Sequence, residues 1–439
     1  MYYNSQSTRE ELLFVPTLSS MTKEQLTAKL SRLKAIYQDY KSKNLSLDMS
    51  RGKPCTEQLE LTMELADCVN ARTGAVSAKG IDTRNYGFVD GIAEMKSLFG
   101  EILGLPSDNV IVGGNSSLNL MFDYVAQAYA TGICGNTPWC RLPEIKFLCP
   151  VPGYDRHFAV TEHFGISMIC VPMTDDGPDM DLVEELVKDP AVKGMWCVPM
   201  YSNPDGITYS DETVRRLARL HPAAKDFRIL WDNAYCVHHL TDTPDTLLNL
   251  YEESKAASNE DIAIYFTSTS KISFPGSGVA AVGGSAANIA DITKRLSVQT
   301  IGYDKQNMLR HARFFKDMDA VTNHMKLHAA ILRPKFDIVL TTLQNEIGDL
   351  NIADWHTPNG GYFVSVSLME GCAKAVVNML KEAGVALTGA GATYPYGNDP
   401  KDSNLRIAPT YPPCDELQIA MNLFCVCVQI VSIEKLLQQ

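Results

Sequence analysis

Between about residues 109 and 285, short apolar runs alternate with amphipathic stretches of helical period, and this alternation constrains the fold more than any other feature of the chain. The apolar runs are 109–112, 145–149, 167–171, 194–198, 228–231, 262–267 and 278–282, with helical stretches near 117–130, 155–164, 179–188 and 210–220. Strands that alternate with helices need crossover connections. The pattern therefore predicts an α/β protein whose large domain holds a mostly parallel seven-stranded sheet, sandwiched by helices. Beyond about 286 long helical stretches run to about 347, followed by strands near 361–366 and 405–408 and a closing helix over 414–437. At the other end, Leu26, Leu30, Leu33, Ile36 and Tyr37 recur at helical spacing over 22–42, before a Gly/Pro break at 47–54. The expected division is a large domain over 60–305 and a smaller α+β domain built from 1–59 and 306–439.

Composition narrows the partners. The chain has 439 residues, of which 45% are hydrophobic, which suits a packed globule rather than a disordered chain. With 51 acidic against 39 basic residues the net charge is −12 and there is no basic run, so nucleic acid and anionic membrane surfaces are not expected partners. No uninterrupted apolar run approaches the ~18 residues of a membrane span, and the start, MYYNSQSTREELLF, lacks the pattern of a secretory signal. The 12 cysteines form no CxxC pair and lie mostly in apolar runs. They are expected to be reduced, buried thiols of a cytoplasmic protein, with no metal site.

Ligands of such sheets bind beyond the carboxyl ends of the strands, so the residues that follow each strand are the candidates. After 109–112 comes Gly113-Gly114-Asn115-Ser116-Ser117, whose free N–H groups, hydroxyls and helix start suit a phosphate, although the same residues make a routine capped turn. After 145–149 comes Tyr154, either a stacking plate or a core tyrosine. After 194–198 comes Asn203 in an Asn-Pro-Asp-Gly turn. After 228–231 come Asp232 and Tyr235; an acid closing an apolar strand needs a partner. After 262–267 comes Ser268-Thr269-Ser270-Lys271, where a desolvated lysine becomes a nucleophile toward carbonyls. An anion cradle, an aromatic plate, an amide, an acid with a tyrosine, and an amine together match one cofactor, pyridoxal 5′-phosphate.

At this point the sequence resembles the class I, fold-type-I pyridoxal-phosphate aminotransferases, with the matching residues running in order from about Ser50 to Arg406. The resemblance implies Lys271 as the Schiff-base lysine, Asp232 as the partner of the pyridine nitrogen, and Tyr235 and Asn203 as donors to the 3′-oxygen. It implies Tyr154 as the stacking aromatic, and Asn115, Ser116 and Ser117 as the phosphate loop. Tyr86 resembles a tyrosine that reaches a neighbouring subunit's cofactor phosphate, which implies a homodimer with shared sites. Arg406 resembles the arginine that grips the substrate α-carboxylate, a role suited to a guanidinium fork, and Gly52 the small residue on a segment that closes over the substrate. One position departs from the family: the arginine usual eight residues after the lysine, which pairs with the phosphate, is Val279 here. Backbone N–H groups and Ser268, Ser270 or Ser277 are the expected substitutes. The segment 299–311 resembles a divergent subgroup similar to bacterial aspartate aminotransferases and related to MocR-type regulators.

The expected reaction moves an amino group from an amino acid, with aspartate the best guess, to a 2-oxo acid, with 2-oxoglutarate the best guess. A dicarboxylic substrate needs a second cation opposite Arg406. Arg51 is the first candidate and Lys53, Lys305 and Arg310 are others. A lyase or decarboxylase would use the same residues, although Arg406 disfavours loss of the α-carboxylate. A MocR-like sensor needs a DNA-binding part for which the 49 residues before Ser50 leave no room.

Overall fold

The computed structural model describes residues 17–438; the portion of the smaller domain expected over 1–16 lies outside them. Seven strands form at the expected apolar runs, each bound moving by at most three residues, and Gly177–Pro178 adds a two-residue eighth. The sheet runs from Val110–Val112 through Ala280–Gly284, Ala263–Ser268, Arg228–Asp232, Val192–Cys197, Lys146–Val151 and Ser167–Thr174 to Gly177–Pro178. The five strands from Ala263–Ser268 to Ser167–Thr174 are mutually parallel. Ala280–Gly284 is antiparallel to both neighbours, because the loop back to it from Ala263–Ser268 is too short to hold a crossover helix.

Side chains alternate across this sheet with period two. Ile229, Trp231, Ala263 and Tyr265 enter one core, while Leu230, Ile264 and Phe266 enter the other. Helices Ala93–Leu103, Met180–Leu186, Asp211–Ala218 and Lys305–Phe315 cover the first face; Ser117–Thr131, Asp155–His163 and Ala286–Gln299 cover the second.

A third core lies beyond the sheet. It gathers Leu26, Leu33 and Tyr37 of helix Lys23–Ser42, which opens on a capping box between Thr22 and Gln25. It also takes the antiparallel strands Ala353–Trp355, Val364–Leu368 and Asn404–Ile407, and helix Cys414–Gln438. That closing helix is long and apolar enough to cross a membrane by length and composition, yet most of it is buried in this core. Met308, Leu309, Phe315, Val321 and Met325 still pack with the sheet, and the change of core falls inside helix Met318–Ile347, before Leu332.

The twelve cysteines are all unpaired, and no cluster of His, Cys, Asp or Glu suited to a metal occurs among the described residues. Only six are fully buried. Cys134, Cys140, Cys170 and Cys414 are exposed, contrary to expectation; Cys170 lies on Ser167–Thr174, where only a two-residue strand covers the sheet edge.

Several histidines are buried as neutral rings. Burial pushes His311 down to about 4 and His328 down to about 3, the latter also repelled by His324. The unfolded chain binds protons near pH 6.5 that the folded chain refuses. Their contribution is therefore whole above about pH 6.5 and falls below it, by about 1.4 kcal/mol per pH unit for each histidine until its folded pKa is reached. Denaturant titrations at about pH 7 and about pH 5 should show this loss of stability. A His328→Gln chain that keeps the whole of the decline would show that His328 does not contribute to it.

Candidate active site

Every loop singled out in the sequence leaves the same edge of the sheet, at the carboxyl ends of its parallel strands. A cavity of about 260 Å³ opens there. Asp232 closes strand Arg228–Asp232 at its floor and is only 2% exposed. Its Oδ2 lies 3.0 Å from His157 Nε2, whereas Oδ1 has no partner among the described residues. The His157 ring stacks on Trp196 at 4.4 Å, with Tyr154 set edge-on at 4.9 Å. Burial of a carboxylate with one oxygen unpartnered is costly unless a cationic or N–H donor meets it. The free oxygen suits a protonated ring nitrogen.

Lys271 shares this cavity. Its Nζ stands 4.9 Å from the centre of the Tyr235 ring and 5.8 Å from that of Tyr362. Burial lowers the pKa of the amine; the Asp232 carboxylate opposes that shift and the Arg406 guanidinium adds to it. The result favours the neutral, nucleophilic form. Tyr235 is pushed well up, and Tyr154 up to about 12, chiefly by burial with help from Asp232, so both phenols stay protonated as donors.

Hydroxyls line another part of the cavity: Ser116, Ser117, Ser268 and Ser270. Ser116 caps the fifteen-residue helix Ser117–Thr131, reached through Gly114 at φ +70°, a conformation that favours glycine. Ser268 donates to Ser270 at 3.0 Å, and Ser270 to the Asn115 carbonyl at 3.3 Å. This neutral cradle at a helix N-terminus fits a phosphate. Asn115 supplies its carbonyl, but its side chain is exposed and lines the neighbouring hollow with Ser277 and Val279.

A second cavity, of about 330 Å³, shares Tyr154, Asn203, Tyr235 and Lys271 with the first and adds Arg51, Gly52, Asp155, Arg156, Phe363 and Arg406. Arg406, on strand Asn404–Ile407, is 7% exposed. Its Nη1 donates to Asn203 Oδ1 at 3.1 Å and pairs with Asp155 Oδ1 at 2.9 Å, while Nε has no partner among the described residues. The guanidinium lies 4.8 Å over the Phe363 ring. Gly52 approaches the same ring so closely that a Cβ would fall 2.4 Å from it, so the segment carrying Arg51 passes here only as glycine.

The remaining expected residues do not join this group. Tyr86 is 81% exposed and lines neither cavity. Val279 is buried in the sheet core, its N–H donating to Thr269 Oγ1 at 3.0 Å. Lys53 turns onto the Tyr411 ring, 3.7 Å away, and Lys305 and Arg310 line neither cavity. His157, Asp155 and Arg156 were not read from the sequence. For His157 a signal existed, since it lies three residues after Tyr154, on the turn where helix Asp155–His163 begins.

A family model described as aspartate amino-transferase matches residues 21–439. An aspartate aminotransferase of Corynebacterium glutamicum is 45% identical over 403 residues, covering 92% of this chain and 93% of that one. A putative aminotransferase of Mycolicibacterium smegmatis is 45% identical over 424 residues, covering 96% and 99%. The crystal structure of an aspartate transaminase from C. glutamicum superposes with a TM-score of 0.93 at 44% identity, covering 96% of this chain and 99% of that one. With its fold, its buried lysine and carboxylate, and these relatives in agreement, the chain belongs to the aspartate aminotransferase family, within the fold-type-I aminotransferases.

Proposed function

We propose that the chain binds pyridoxal 5′-phosphate and transfers the amino group of aspartate to 2-oxoglutarate in two half-reactions. The observation that carries this reading is that Lys271 and Asp232, whose Oδ1 has no partner among the described residues, line one cavity. When bound, the cofactor supplies an aldehyde for the substrate amine and a ring that takes up the electron pair left by the α-proton.

The protein's own groups do the rest. Asp232 keeps a proton on the ring nitrogen through Oδ1, and His157 holds the other oxygen in place. Tyr235 and the amide nitrogen of Asn203, whose oxygen is taken by Arg406, would donate to the ring's hydroxyl oxygen. Tyr154 would stack on the ring, and Ser116, Ser117, Ser268 and Ser270 would hold the phosphate. Lys271, whose pKa burial lowers toward the neutral form, would remove the α-proton and redeliver it to the cofactor's aldehyde carbon, on the far side of the substrate nitrogen. Arg406 takes the α-carboxylate through its Nε and Nη2 edge.

Arg51 and Arg156 make the second cavity cationic, and neither has an ion-pair partner among the described residues, which supports a substrate with a distal carboxylate. The enzyme acts as a homodimer in which Tyr86 of the partner subunit completes the phosphate site; the exposure of Tyr86 supports this, as does that of Phe88 beside it.

Two experiments test the assignments. Lys271→Ala should lower turnover roughly a thousandfold or more and abolish borohydride trapping of the cofactor; substantial transamination by the variant would reject the lysine's role. Arg51→Ala should raise the KM for aspartate roughly tenfold and leave that for alanine unchanged, and an equal effect on both would remove Arg51 from the distal site.

A further inference from the structure

Beneath Lys271 lies a buried polar network that neither cavity reaches. Its centre is Gln58, fully buried on the short helix Thr56–Glu60, directly after the segment that carries Arg51 and Gly52. The backbone N–H of Cys55, a donor only, meets Gln58 Oε1 at 3.1 Å, which fixes the orientation of the amide. The two hydrogens on Nε2 then go to His328 Nδ1 at 2.9 Å and to Tyr362 Oη at 3.0 Å. With its oxygen thus accepting, Tyr362 has its own hydrogen for the carbonyl of Lys271, 3.3 Å away. His238 Nε2 reaches the same carbonyl at 3.4 Å. On its far side His328 contacts His324 at 3.0 Å, and His324 lies 2.9 Å from the Ile272 carbonyl.

We infer that Gln58 is a positioning residue for Lys271: through Tyr362 it ties the substrate-covering segment to the lysine's own peptide and sets where the amine stands. The segment is also held through its backbone, from Thr388 Oγ1 to the Ser50 carbonyl and from Thr410 Oγ1 to the Lys53 carbonyl, and by Lys53 on the Tyr411 ring. Gln58 is the contact that continues from it toward Lys271. Tyr362 serves twice, since its hydroxyl holds the lysine's carbonyl while its ring face, with that of Tyr235, flanks Nζ. The two ring centroids stand 6.0 Å apart with Nζ to one side of both, near enough for each ring to favour the amine's charged form. The charged and titratable groups facing Nζ are Asp232, Arg406, Tyr235, Tyr362 and, through the peptide, His238. Tyr154, Arg51, Asp155 and Arg156 line the cavities with Lys271, and the Tyr362 ring also borders those of Tyr235 at 6.0 Å and His238 at 5.5 Å.

This inference rests on the lysine carrying the cofactor, and the test separates the two. Gln58→Leu, Tyr362→Phe and the double variant are prepared as holoenzymes, and borohydride reduction followed by peptide mass analysis first shows whether the cofactor is attached at position 271. No attachment in the unaltered protein overturns the functional reading itself. Given attachment, each single variant should lower the pH midpoint of the cofactor's visible absorbance change by about half a unit. Each should also reduce kcat about tenfold with KM unchanged. Because Gln58 acts through Tyr362, the double variant should fall no further than Tyr362→Phe alone. Additive effects, or a Gln58→Leu enzyme with unaltered midpoint and kcat, overturn the inference. If Gln58→Leu fails to fold, Gln58→Met preserves the side-chain volume and carries the same comparison.

Discussion

A carboxylate held out of water with one of its oxygens unpaired is the constraint on which the site depends. Asp232 has lost its hydration, and a single bond from His157 does not replace it. The surroundings are arranged around that deficit. Trp196 fixes the histidine ring by stacking, and Lys271 stands near enough for the carboxylate to moderate the loss of its charge. That dehydration lowers the pKa of the amine toward its neutral form, and the nearby carboxylate limits the shift. Exposing this site to water would weaken both effects together, so the two domains must meet over it for the chemistry to be possible.

Parallel strands bring this about cheaply. Their carboxyl ends lie along one edge, so residues more than 150 positions apart in sequence, such as Ser117 and Ser270, share one cavity without any long excursion of the chain. The antiparallel return of Ala280–Gly284 adds a detail. Thr269 and Val279 close the loop between them, with the Thr269 N–H donating to the Val279 carbonyl at 2.8 Å, and this presents Ser270 and Lys271 inward. Val279 itself is buried and lines the neighbouring hollow with Asn115 and Ser277.

What the sequence reveals follows from which interactions are local. Most of the seven strands were legible because burial on both faces of the sheet leaves continuous apolar runs, although Ser167–Thr174 is largely exposed, and the residues after the strands were legible because strand ends are marked by small and polar residues. Asp232 and Lys271 stood out as charges behind apolar strands. His157 and Gln58 did not, since their roles depend on partners 75 and 304 positions away, Asp232 and Tyr362. The exposed Cys170 was misread for a related reason: its apolar neighbours describe a strand, but not that the strand lies beside a sheet edge. Helix Met318–Ile347 serves two cores in turn, a division that a single helical pattern does not reveal.

Arg406 shows how such a site distinguishes a binding group from a structural one. A guanidinium has five hydrogens in a rigid fork. Here Nη1 is fully engaged by Asn203 and Asp155, and Nη2 reaches Thr388 only at 3.5 Å. Nε is buried without a partner among the described residues, above the face of Phe363. A purely structural ion pair would turn its bidentate edge toward Asp155. Instead the carboxylate takes one corner, lowering the cost of holding the charge out of water, and the edge that could accept two oxygens in parallel faces away from it. Phe363 lies under the guanidinium, and Gly52 lets its segment lie against the same ring, where a Cβ would fall 2.4 Å from it. The surroundings of this cation are thus set by an aromatic face and a missing side chain as much as by its ion pair.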